Sequence, residues 1–92
     1  MTMAEMRTNS FINGDWVGSS SQIDVLNPAT GKSLASVANA SIADCLRAVD
    51  AADEAFDAWK TTAPRVRGEI LRKAFEIMIA EKEQLARLIT LE

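Results

Sequence analysis

From Pro64 to Glu92 apolar residues recur at helical spacing, and they occupy more of the helix than one partner can cover. Leu71, Phe75, Met78, Leu85 and Leu88 form one stripe of the kind that packs into a core. Ile70, Ile77 and Leu91 form a second line about a third of the way round. A helix apolar over so wide an arc needs neighbours on more than one side. The pattern is one helix, or a helix broken near Glu81–Gln84, and it is still running at Glu92 with no Gly, Asn or Pro to end it. The expectation is an interrupted protein.

The rest of the chain offers one other helix. Ser41 stands at an N-cap with Asp44 three residues on, a capping-box arrangement with Asp in place of Glu. Ile42, Leu46, Val49, Ala52, Phe56 and Trp59 then follow at helical spacing, with Asp44, Arg47, Asp50, Glu54 and Asp57 on the opposite, solvated face. This helix is expected to end near Lys60 and to cover one side of the second. Thr62 is placed to cap the second helix and Pro64 to occupy its first turn.

Before Ser41 the period is that of short strands. Asn13-Gly14 inside Phe11–Val17 is a hairpin signal, since both residues accept the positive φ of a type I′ turn. Ile23 and Val25 share one face of a further strand that Pro28 stops. Gly31 supplies the next turn, and Leu34, Ser36 and Val37 fit a third or fourth short strand. These strands are too few for a core of their own, so the side chains of the first hairpin are expected to rest on a larger body.

Ninety-two residues suffice for one small domain, with 48% apolar and 25% charged residues, an ordinary globular mixture. A net charge of −3 argues against nucleic acid or an anionic membrane as partner. The start has no apolar core before a cleavage site, and no run reaches the length of a membrane helix. One cysteine excludes an internal disulfide, and a cytoplasmic setting is expected.

Candidate chemistry is thin. Cys45 lies near the start of a helix whose dipole favours thiolate, but with no histidine in the chain and no base nearby in sequence, a small apolar filler is its commoner role. A thiol enzyme or redox sensor built on it is correspondingly remote. Asp50, Asp53, Glu54 and Asp57 have the spacing to present carboxylates on one helix face to a hard cation, yet the Gly turn of a calcium loop is missing and a solvated face explains them. Glu69, Glu76, Glu81 and Glu83 read the same way. Arg65, Arg67, Arg72 and Lys73 are interleaved with Glu69 and Glu76, so surface pairing accounts for them without a phosphate ligand. None of the four glycines stands in a G-x-G-x-x-G setting. The residues alone give no catalytic, cofactor-binding or metal site.

The order of the pieces carries more. "FINGDWV", "IDVLNPATGKSLASV", "AVDAADEAFDAWK" and "PRVRGEILRKAFEIMIAEKEQLARLITLE" together resemble the amino-terminal segment of the NAD(P)-dependent aldehyde dehydrogenase superfamily, over about Phe11 to Glu92. The last stretch is most similar to the succinate-semialdehyde dehydrogenase branch. The resemblance implies an α+β fragment, short antiparallel hairpins followed by two or three helices, of a larger α/β fold. Residues 1–9 would be a flexible tail. Residues 10–92 would be an incomplete cofactor-binding domain, with strands over 10–38, a helix over 41–60 and a helix or broken helix over 63–92.

In the family the catalytic cysteine, the general-base glutamate and the nicotinamide-binding strands come later in the polypeptide, and Cys45 does not sit in the nucleophile motif. The complete protein would oxidise an aldehyde, succinate semialdehyde foremost, using NAD or NADP. The implied route is thiolate attack, hydride transfer and thioester hydrolysis. The fragment itself would be inactive, would bind no cofactor, and would have the remainder of a homo-oligomeric enzyme as its partner. Several members also hold a structural monovalent cation partly through backbone oxygens at positions matching Val25 and Leu26, with the other ligands further along. Val25 has no side-chain oxygen to add, so no metal site is expected in this chain alone. A different class of function competes with this one: a free-standing, non-catalytic helical module that self-associates or binds a partner through the same apolar arc.

Overall fold

A computed structural model describes residues 6–92; positions 1–5 of the expected tail lie outside the described residues. β1 (Ser10–Ile12) pairs antiparallel with β2 (Asp15–Val17), and β3 (Gln22–Leu26) with β4 (Ser33–Ala38), as two separate sheets. Then come α1 (Ile42–Thr61), α2 (Pro64–Ala80) and α3 (Lys82–Leu91). The result is the α+β arrangement expected from the change of period at Ser41.

Both hairpins are closed by their own sequence. Asn13 and Gly14 take φ of 50° and 82°, the left-handed pair of a type I′ turn, which sets Phe11 opposite Trp16 with ring centres 4.9 Å apart. The β3–β4 turn is built around Asn27. Its carbonyl accepts from the Gly31 N–H at 2.7 Å, its side chain accepts from the Ala29 N–H at 2.9 Å, and Gly31 takes a φ of 71°. Ile23 then faces Val37 and Val25 faces Ala35 across the ladder. Thr8, from the end of the expected tail, accepts at its carbonyl from the Ala38 N–H at 2.8 Å.

α1 begins in a full capping box. Ser41 is extended (φ −70°, ψ 164°), its Oγ accepts from the Asp44 N–H at 3.1 Å, and its own N–H donates to Asp44 Oδ2 at 3.3 Å. Arg47, one turn on, donates to Asp44 Oδ1. The Arg47 guanidinium, and after it the Ser41 donors, hold the Asp44 carboxyl below the usual carboxylate range. A carboxyl lowered in the folded state adds stability that is present above its unfolded pKa of about 3.9 and is lost as pH falls through the folded value. A peptide covering residues 39–62 should therefore lose helical circular dichroism on acidification below about pH 4, and Ser41→Ala should weaken its helix by about 1 kcal/mol at neutral pH. Helicity indifferent to both changes would contradict the box.

At the other end Thr62 does not cap α2 as the sequence suggested. Its N–H donates to the Trp59 carbonyl at 3.1 Å and its Oγ1 to Ala58 O at 2.8 Å, so it terminates α1. Ala63, held extended by the following Pro64, is the N-cap of α2 and makes no side-chain hydrogen bond. The break expected near Glu81–Gln84 falls at Glu81, whose φ of −105° and ψ of 15° bend the chain between α2 and α3.

The helices leave almost nothing enclosed. Among the described residues no apolar side chain is buried, and the one buried residue is Asp44, 9% exposed. The molecule measures 48 × 35 × 18 Å.

Candidate docking surface

β1 lies against α1, and the side of α1 that receives it corrects the sequence reading. Ile12 and Val17 are half-buried and border clefts whose other wall includes Ala48, Ala51 and Arg47. Asp44, assigned to the solvated face, is buried where Ser41 and Arg47 bond it, while the stripe expected to pack is bare. Ile42 is 82% exposed and Val49 64%, with Phe56 and Trp59 also open. Small side chains explain the preference: a two-stranded ribbon approaches an alanine row more closely than a row of Val and Phe.

α2 is corrected in the same sense. Leu71, Phe75 and Met78 are not core: Leu71 is 67% exposed and Phe75 60%. α1 packs on β1 rather than over α2. On α3, Leu85 and Leu88 of that stripe and Leu91 of the second line are half-buried, and Leu88 and Leu91 share an apolar cleft of about 250 Å³ with Val25, Leu34 and Val37 of the second hairpin. So α3 meets the second hairpin, while the large apolar side chains of α2 stay exposed.

The residues weighed for chemistry do not assemble. Cys45 is exposed rather than a filler, its N–H given to the Ser41 carbonyl. Asp50, Asp53, Glu54 and Asp57 line exposed turns of α1, and among the described residues no three acid, cysteine or histidine groups converge on one point. Arg72 donates to Glu76 at 3.2 Å, the surface pairing expected, and Lys60 also pairs with Asp57 at 3.0 Å. Arg67 is different: it is half-buried, and its Nε lies out of solvent without an acceptor. A charged residue at helical spacing from Ile70, Leu71 and Ala74 was the signal in sequence for that oddity. The glycines with positive φ close hairpins and Gly68 lies within α2, so these residues do not form a nucleotide cradle. Among the described residues no helix is long and apolar enough to cross a membrane.

What the arrangement presents is surface. A folded chain of 10.0 kDa normally exposes about 5,200 Å²; this one exposes 7499 Å². Its radius of gyration is 16.5 Å where a compact chain of this length has about 12 Å. The excess of roughly 2,300 Å² has the size of one side of an obligate interface.

A sequence model of the aldehyde dehydrogenase family matches residues 16–92. The mitochondrial succinate-semialdehyde dehydrogenase of Hylobates lar is 38% identical over 92 residues, all of this chain and 17% of that protein. A glutarate-semialdehyde dehydrogenase of Pseudomonas putida is 40% identical over 88 residues, 94% of this chain and 18% of that protein. Among solved structures, an E. coli NADP-dependent enzyme superimposes with a TM-score of 0.90 at 40% identity, covering 94% of this chain and 18% of that one. The chain spans about a sixth of the length of the curated relatives it matches.

Proposed function

Because the chain belongs to the aldehyde dehydrogenase family, we propose that it is the amino-terminal segment of an NAD(P)-dependent enzyme that oxidises an aldehyde, succinate semialdehyde foremost, to its carboxylate. The segment is structural. Its hairpins and helices complete the cofactor domain of a longer polypeptide, and catalysis, nicotinamide binding and any structural cation depend on residues of that remainder. The observation that carries the reading is the bare apolar surface of α1 and α2, with no buried apolar side chain among the described residues. The names of the relatives at 38–40% identity support a semialdehyde as the substrate class. A cytoplasmic, homo-oligomeric enzyme is part of the same proposal.

The nicotinamide, when bound, accepts a hydride, and the residues that would hold it belong to the remainder of the polypeptide. The intact mass of the polypeptide produced from the source gene, with its aldehyde oxidation, tests the reading. A mass well above 10.0 kDa with NAD(P)-dependent turnover of succinate semialdehyde is expected, and no turnover from the 92-residue chain alone. A 10.0 kDa product that forms a cooperatively folded oligomer would establish the non-catalytic module instead.

A further inference from the structure

α2 carries its apolar residues from Val66 through Ile70 and Met78 to Phe75 and Ile79, with Arg72, Glu76, Glu69 and Lys73 on the remaining side. Arg67 stands in the middle of the apolar side, at positions i+3, i+4, i+7 and i+11 from Ile70, Leu71, Ala74 and Met78 counted backwards along the helix. It is also the one residue of α2 that is not exposed, and its Nε has neither solvent nor acceptor.

The helix supplies no counter-charge. Its first turn holds no acid and no side-chain cap, so Arg65 and Arg67 face the positive end of the helix dipole. Glu69, two residues on, points away from Arg67. A guanidinium stays protonated in proteins, so covering this face with apolar surface alone would strand a charge. The group that satisfies such a fork best is a carboxylate, which meets two of its N–H donors at once.

We propose that α2 docks on an apolar wall of the remaining polypeptide that presents an Asp or Glu carboxylate to Arg67. The proposal rests on the reading of this chain as one segment of a longer protein and adds the chemistry of the surface that receives it. Apolar side chains alone would let a helix turn or slide by a residue; one fixed charge pair inside the contact sets its rotation and its register.

The complete polypeptide tests this. Its crystal structure should place a carboxylate oxygen from beyond residue 92 within hydrogen-bond distance of the Arg67 guanidinium. Arg67→Lys should lower the thermal midpoint, because an ammonium lacks the planar fork. Arg67→Met should lower it further and leave the acceptor as an unpaired buried carboxylate, whose pKa rises. The midpoint deficit of R67M against the parent should then shrink as pH is lowered from about 8 to about 5. A guanidinium bonded only to water, to residues 6–92 or to a second copy would overturn the proposal, as would an R67M deficit that does not change with pH. Those results leave a longer, active dehydrogenase intact, whereas a 10.0 kDa gene product without turnover removes the reading and the proposal together.

Discussion

The 92-residue chain, produced alone, should not melt as a cooperative monomer. We expect a shallow, non-sigmoidal loss of helical circular dichroism on heating, strong binding of a hydrophobic dye at 25 °C, and concentration-dependent association in sedimentation. The reason is area. At about 25 cal/mol per Å², even the apolar half of the roughly 2,300 Å² of excess surface corresponds to about 30 kcal/mol of burial that does not occur. Net stabilities of whole domains are about 5–15 kcal/mol, so local turns and caps cannot make up that difference. A sharp two-state transition from a dye-silent monomer would show that the chain is complete in itself.

The second large effect reverses sign with context. Phe75→Ala in the free chain removes a side chain that is 60% exposed and should shift helix content little, within about 0.5 kcal/mol. In the complete polypeptide the same substitution should cost about 3–5 kcal/mol, the range for deleting a buried phenyl ring. Phe75→Asp sharpens the contrast: it should make the free chain more soluble and abolish accumulation of soluble complete protein, because a carboxylate would enter a dry contact. Urea unfolding of the complete protein, with and without F75A, measures the difference. Equal and small effects in both settings would mean that α2 faces solvent in the complete protein too.

These outcomes follow from what could and could not be read along the chain. Signals contained within a few residues translated directly into structure: Asn13-Gly14 into a type I′ turn, Ser41 and Asp44 into a capping box, Gly31 into a positive-φ turn. The break at Glu81 was legible to within its segment. Statements about which face meets which neighbour did not transfer. Periodicity gives the width of an apolar arc but not its occupant, and α1 has large apolar residues on one side and alanines on the next. The hairpin took the side of Ala48 and Ala51 and left Ile42 and Val49 bare, and Asp44 is buried where Ser41 and Arg47 bond it. Thr62 went to α1 because its hydroxyl reaches Ala58 O before any N–H of α2. Arg67 was read with Arg65, Arg72 and Lys73 as a surface-paired residue, although its spacing sets it within the apolar arc, and an unpartnered Nε is a fact of three dimensions.

The locally closed hairpin turns and the capping box also set a timetable. Contacts this short in sequence form in about 1–10 μs, as soon as the segment has room to move. On the proposed reading, with 92 residues amounting to 17% of a relative's length, roughly 450 more have still to be synthesised. At about 5–20 residues per second that takes on the order of half a minute to a minute and a half. On that reading the segment's turns and caps form and re-form throughout, with Leu71, Phe75 and Met78 without the surface that covers them. On the proposed reading, the segment made first has the longest wait for the surface that covers it.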